Sequence, residues 1–382
     1  LFPYTTLFRS HLGVPSEQEI NEVIEAIKNS KFPVLLAGMR SSSQAETEAI
    51  RRLVQKTNLP VVETFQGAGV ISRELENHFF GRVGLFRNQV GDELLRKSDL
   101  VITIGYDPIE YEASNWNKEL DTKIINVDEE HAEITNYMQP VKELIGNIAG
   151  TIDMISEHVN EPFINQDHLD ELEKLRGEIT EATGIKATHK EGVMHPVEII
   201  ETMQKVLTDD TTVTVDVGSH YIWMARKYRS YNPRHLLFSN GMQTLGVALP
   251  WAISAALVRP NTQVVSVAGD GGFLFSGQEL ETAVRKNLNI IQLIWNDGRY
   301  NMVEFQEEMK YKRSSGVEFG PVDYVKYAES FGAKGLRVTN QEELEAALKE
   351  GYETDGPVLI DIPVNYADNV KLSTNMLPNA LN

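Results

Sequence analysis

The 382-residue chain contains no cysteine, which excludes disulfides, thiolate metal sites and a cysteine nucleophile together. Basic residues are scarce. Lys and Arg number 36 against 55 Asp and Glu, for a net charge of −19. With no basic cluster along any face, nucleic acid is not an expected partner. No apolar run approaches the roughly 20 residues of a membrane span. The stretch 245–257 contains Pro250 and reads as a buried core helix. Internal repeats and low-complexity tracts are absent as well. These absences leave an acidic, soluble, cytoplasmic enzyme as the expected class.

The first ten residues, LFPYTTLFRS, lack a basic n-region, a long apolar core and a small-residue cleavage site. They look like the in-frame translation of a sequencing adapter and are set aside from fold reasoning. The natural sequence is expected to begin at about His11, in mid-protein, as a fragment lacking its amino-terminal part. The roughly 370 residues that remain exceed what one hydrophobic core usually supports, so two domains are expected. Their expected bounds are 11–156 and 193–366. A charged strap at 157–192, with a helix at 167–182, joins them, and 367–382 forms a tail.

Apolar runs alternate with helical patterns through the first domain: strands at 33–38, 60–65, 100–105 and 123–128, helices at 45–57 and 91–97. That alternation predicts a doubly wound parallel α/β sheet. Its first turn, Gly38-Met39-Arg40-Ser41-Ser42-Ser43, lacks the Gly-x-Gly-x-x-Gly that brings a pyrophosphate against a helix start, so dinucleotide binding is not expected. The second domain opens with Pro196 in the first turn of a helix running to Leu207. Strands are expected at 213–217, 264–267, 290–295 and 358–362.

The most informative stretch is 264–300. An apolar run at 264–267, a helix at 276–287 and a second apolar run at 289–295 make a β-α-β unit. A right-handed crossover makes the strands parallel and leaves both carboxyl ends on one edge, about 4.8 Å apart if neighbours. Asp270 and Asp297 then share that edge. Gly269, Gly271 and Gly272 clear side chains around the first carboxylate, so backbone N–H groups can meet an anion there. Two carboxylates plus a phosphate suit Mg²⁺. At the end of strand 213–217, Gly218-Ser219-His220 presents a hydroxyl and an imidazole suited to a phosphate oxygen, or else Ser219 simply N-caps a helix at 222–227.

At Gly269-Asp270-Gly271 and Asn296-Asp297, spaced just under thirty residues apart, the chain resembles the thiamine diphosphate (ThDP) enzymes. The resemblance implies that Asp270, Asp297 and the backbone carbonyl of Arg299 hold Mg²⁺, with Asn296 orienting the turn. It places the ThDP diphosphate at Gly218, Ser219 and His220 and adds Gly269, Gly271, Gly272, Asn296 and Tyr300 to the cofactor site. Asn240 to Gly246 resembles the segment that receives the aminopyrimidine, with the carbonyl of Gln243 accepting from the 4′-amino group and Leu245 as the wedge that bends the cofactor. The glutamate that drives the 4′-imino tautomer in the family belongs to an amino-terminal domain outside this chain.

Similarity extends from His11 onward, through segments that include 81–86 with Asn88-Gln89, 302–306, 315–321 and 362–366. It points to the catabolic, FAD-independent acetolactate synthases, because Phe305-Gln306 stands where FAD-binding relatives carry a tryptophan-containing segment. This branch implies condensation of two pyruvates to 2-acetolactate and CO2 through a ThDP ylid and enamine, without FAD, in a homo-oligomer, dimer or tetramer. Val303 and Gln306 would then line the substrate pocket, and Arg87 is a weaker candidate for the pyruvate carboxylate. A different ThDP-dependent 2-oxo acid decarboxylase or carboligase is the alternative. A Mg²⁺-dependent phosphoryl-transfer protein is more remote, for want of a nucleophilic aspartate with a lysine at a third strand end.

Overall fold

A computed structural model describes residues 12–85 and 89–374. Arg87 and the expected adapter segment lie outside the described residues. The chain forms two compact units, divided in sequence between Glu178 and Ile179.

The first unit begins with α1 (Glu17–Lys28), where Ser16 and Glu19 form a capping box and Ile20, Val23, Ile24 and Ile27 supply the buried stripe. There follow β1 (Pro33–Ala37), α2 (Gln44–Thr57), β2 (Val61–Thr64), β3 (Phe79–Val83), α3 (Val90–Lys97), β4 (Leu100–Ile104), β5 (Lys123–Asp128), β6 (Lys142–Ile145), α4 (Ile148–His158) and α5 (Gln166–Thr183). The six strands pair in parallel in the order β3-β2-β1-β4-β5-β6. Strands β1 and β4 are buried at every position, as expected of central parallel strands with both faces covered by helices. Of the stretch expected as a strap, Ile164 and Leu172 are buried in this unit's core.

The second unit contains α6 (Pro196–Val206), β7 (Thr212–Val215), α7 (Ser219–Lys227), β8 (Leu236–Phe238), α8 (Ala248–Val258), β9 (Val264–Gly269), α9 (Asp270–Ser276), α10 (Leu280–Arg285) and β10 (Ile290–Asn296). It continues with α11 (Asn301–Tyr311), α12 (Tyr324–Ser330), β11 (Lys334–Arg337), α13 (Gln341–Glu353), β12 (Val358–Pro363) and α14 (Asn369–Thr374). Its sheet is again parallel, in the order β11-β12-β10-β9-β7-β8. Both sheets are doubly wound, and the expected α/β class holds for each unit.

Several local expectations need correction. The helix expected at 276–287 begins at Asp270, directly on the strand end, and is interrupted at Gly277–Glu279 by a tighter turn before α10. Gly271 and Gly272 weaken its helical signal, but a side chain at either would collide with Tyr300 or Asp216. Ser219 is not an N-cap: Gly218 holds that position and Ser219 is already helical. Strand β7 ends at Val215, two residues earlier than expected, because the carboxylate of Asp216 captures the N–H of Val217 and turns the chain. The helix expected within 245–257, α8, buries Ala248, Leu249, Ala252, Ile253 and Ala255 and leaves Leu257 and Val258 exposed at its end. Strands β3, β6, β8 and β11 were not expected. All four are short, and each closes a sheet edge. Among the described residues no helix is long and apolar enough to cross a membrane.

Candidate active site

In the second sheet the chain leaves β7 for β8 on one side and returns to β9 on the other, so the switch point lies between β7 and β9. Loops at such a point depart to opposite faces of the sheet and open a crevice at the carboxyl ends of the strands. A cavity of ≈ 190 Å³ lies there. Its walls bring together Gly218, Ser219 and His220 after β7, Gly269, Asp270, Gly271 and Gly272 after β9, Asp297, Arg299, Tyr300 and Val303 after β10, and Leu245. Trp295, Asn301, Met302 and Tyr366 join this lining and had not been singled out. Tyr366 lies just beyond the end of β12, a position that the strand pattern at 358–362 places on the same edge of the sheet. Three expected residues are elsewhere: Gln243 and Asn296 are not in the lining, and Gln306 is exposed on α11.

The strand register sets Trp295 opposite Gly269, which places Asp270 and Asp297 at adjoining strand ends. Asp270 accepts the N–H of Gly271 at 2.8 Å and that of Gly298 at 2.6 Å. Burial nevertheless dominates and pushes its carboxyl up to about 6. Asp297 is raised to about 7, by burial first and by the neighbouring Asp270 second. The Asp270 carboxylate thus adds to burial in disfavouring ionisation of Asp297, an effect that a divalent cation between the two would relieve. Among the described residues no group of three or more His, Cys, Asp or Glu side chains has metal-holding geometry. Two carboxylates, a backbone carbonyl and phosphate oxygens are the donor set suited to Mg²⁺, which does not need a third acidic side chain.

Close packing explains the glycines. A Cβ on Gly271 would lie 2.7 Å from the Tyr300 ring, and one on Gly272 would lie 2.7 Å from Asp216 Oδ1. Asp216 shapes the walls of the site and was missed by sequence reasoning. It is 1% exposed. It takes the N–H groups of Val217 and Gly246 on Oδ1 at 2.8 and 3.0 Å and that of Ala248 on Oδ2 at 3.0 Å. One carboxylate thereby ties the loop after β7 to the 243–248 segment and caps α8. Its buried carboxyl is raised above the usual range for Asp by desolvation. Asn296 donates from Nδ2 to Asp361 at 2.9 Å and accepts from the N–H of Gly298 at 3.2 Å, so its amide shapes the turn.

The 297–300 loop is clamped from outside. Tyr300 N–H donates to Val317 O and Phe319 N–H to Gly298 O, each at 2.8 Å. The rings of Tyr300 and Phe319 meet edge to face at 4.4 Å. The guanidinium of Arg299 pairs with Glu304 and Glu318. His220 is 1% exposed, burial depresses its imidazole to about 3, and Nε2 has no hydrogen-bond partner. Trp295 Nε1, also in the wall, is likewise unpaired. Buried polar atoms left unpaired at a cavity wall point to an occupant that completes them.

Residues 20–155 match the family model described as thiamine pyrophosphate enzyme, central domain. Residues 216–362 match the thiamine pyrophosphate enzyme, C-terminal TPP binding domain, TPP and ThDP being the same compound. The chain belongs to the thiamine pyrophosphate enzyme family. It is 49% identical over 367 residues to the acetolactate synthase of Bacillus subtilis (strain 168), an alignment covering 96% of this chain and 64% of the relative. It is 43% identical over 363 residues to the catabolic acetolactate synthase of Raoultella terrigena, covering 94% and 64%. To the acetolactate synthase large subunit of Haemophilus influenzae it is 26% identical over 374 residues, covering 96% and 64%. The chain thus spans under two thirds of the length of these relatives.

Proposed function

We propose that this chain is the ThDP- and Mg²⁺-binding part of a catabolic-type acetolactate synthase, which condenses two pyruvates to 2-acetolactate and CO2. The observation that carries the reading is the open switch-point cavity with Asp270 and Asp297 on one wall and the 218–220 turn on the other. When bound, ThDP supplies an electron sink for decarboxylation and for joining the two-carbon unit to a second carbonyl. Asp270, Asp297 and the carbonyl of Arg299 would hold Mg²⁺ against the diphosphate, which the first turn of α7 receives through backbone N–H groups. The unpaired His220 Nε2 fits a site whose polar wall is completed by a ligand. Leu245, Val303 and Tyr300 supply the apolar part of the wall.

The absence of FAD is part of the proposal. In the first unit the corresponding switch point lies between β1 and β4, and its loops are sewn shut. Gly38 N–H donates to Ile104 O and Arg40 N–H to Gly105 O, each at 2.9 Å. A Cβ on Gly38 would lie 2.5 Å from Gly105 O. The Arg40 guanidinium crosses the gap to Tyr106 O and Asp128, at 2.9 and 2.7 Å. These contacts hold the two loops together at the strand ends where a dinucleotide pyrophosphate would approach.

A homo-oligomer is proposed because Met242 and Phe275, near the cavity segments, are 96% and 56% exposed. Large apolar side chains exposed beside a binding site fit a second subunit. The identity of 43% to a catabolic enzyme, against 26% to a large subunit, supports the branch. The test is product analysis of the complete protein: acetolactate from pyruvate supports the proposal, and free acetaldehyde as the main product overturns it in favour of a decarboxylase.

A further inference from the structure

Asn301, the first residue of α11, sits in the cavity wall and joins three segments of the second unit through one amide. Its Nδ2 donates to Asp297 Oδ2 at 2.7 Å. Its Oδ1 accepts from Ser219 Oγ at 2.7 Å and from Asn369 Nδ2 at 2.6 Å. Asn369, 1% exposed, in turn accepts the indole N–H of the fully buried Trp223 on Oδ1 at 2.7 Å.

The direction of every bond in this chain follows from one group. An indole nitrogen is a donor only. Trp223 therefore fixes the oxygen of Asn369, and Asn369 must turn its NH₂ toward Asn301. That fixes the oxygen of Asn301 and leaves its NH₂ for Asp297. The usual ambiguity of amide orientation is removed by the network itself. Two consequences follow. Asp297 Oδ2 has its outer side saturated by a donor, so the carboxylate is held with its remaining lone pairs for a cation. Ser219 spends its single hydroxyl proton on Asn301, so what it offers a diphosphate is its backbone N–H.

We propose that Asn301 is the positioning residue of the metal site, aiming Asp297 at the cation and tying cation binding to the Trp223–Asn369 anchor of the carboxyl-terminal segment. The inference rests on the Mg²⁺–ThDP reading above. Outer partners of this kind typically cost roughly 10- to 100-fold in metal affinity when removed.

The experiment titrates Mg²⁺ and ThDP into the chain by calorimetry for wild type, Asn301→Ala, Asn301→Asp and Asp270→Asn. It also follows the indole N–H of Trp223 in ¹⁵N spectra, identified by its loss in Trp223→Phe. Expected are a roughly 10- to 100-fold weaker affinity in Asn301→Ala and a larger loss in Asn301→Asp, which sets a carboxylate against Asp297. Binding should shift the Trp223 resonance in wild type and leave it unmoved in Asn301→Ala, a decoupling that a merely structural role would not produce. If Asn301→Ala does not fold, Asn369→Ala serves, with the same loss expected in smaller degree. Wild-type affinity in the position-301 or position-369 variants, with Asp270→Asn crippled, overturns this inference and leaves the site reading standing. Unchanged affinity in Asp270→Asn, or no binding by wild type, overturns both.

Discussion

The carboxylate of Asp270 accepts the backbone N–H of Gly298 at 2.6 Å, closing the loop between two adjacent strand ends. Gly298 adopts φ +72°, a conformation that carries a steric cost for any residue with a Cβ. The position of the second carboxylate, Asp297, therefore depends on the first before any cation is present.

Asp270→Ala should abolish binding of Mg²⁺–ThDP. It removes one of the two cavity carboxylates and also frees the Gly298 loop. Calorimetry on the complete enzyme gives the answer, and wild-type affinity in the variant would sink the metal assignment.

The protein should be colourless and indifferent to added FAD, as the catabolic-type proposal implies, with the loops after β1 and β4 tied to each other at the switch point. An absorption spectrum of the purified protein tests this directly. A flavin band, or turnover that needs FAD, would count against the closed crevice.

Asp216→Ala should destabilise the second unit by about 3 kcal/mol or more, since it strands the N–H groups of Val217, Gly246 and Ala248 in a buried site. Urea midpoints measure the loss. A change within about 0.5 kcal/mol would show that these N–H groups find other partners.

Glu110 belongs to the first unit and is 6% exposed. It accepts the N–H groups of Met39 and Gln66 at 2.9 and 3.1 Å, yet burial outweighs them and pushes its carboxyl up to about 7 from 4.5. Between those values the folded chain holds a proton that the unfolded chain has released. Stability from this group is thus present at low pH and falls as pH rises through that window. At about 1.4 kcal/mol per pH unit the loss is on the order of 3 kcal/mol at most. Glu110→Gln should flatten the fall in the first unit's urea midpoint between about pH 4.5 and about pH 7; an unchanged slope would place its origin elsewhere.

The 382-residue chain alone should form no acetolactate. No glutamate is among the described residues lining the cavity, and the resemblance to ThDP enzymes implies an activating glutamate from outside this chain. Pyruvate turnover assayed on this chain alone is decisive. Steady production of acetolactate would place the activating carboxylate within these residues.

Much of the molecule is legible from one dimension. Apolar runs with helical spacers specify a parallel sheet, since only a crossover helix can return the chain to a neighbouring strand in the same direction. The spacing from Asp270 to Asp297 puts two carboxylates on one edge for the same reason. What short-range pattern does not carry is contact between segments distant in sequence. Gly38 and Gly105 read as ordinary turn glycines until their loops meet and shut a crevice. Asp216 and Asn301 carry no motif, because beside their bonds to near neighbours each also holds a segment 30 or 82 positions away. Sequence periodicity set which strand ends exist and which face the chain returns to. Tertiary packing alone decided which of two similar switch points stays open and which buried polar atoms remain for a ligand, because both depend on close approaches of backbone that no local pattern records.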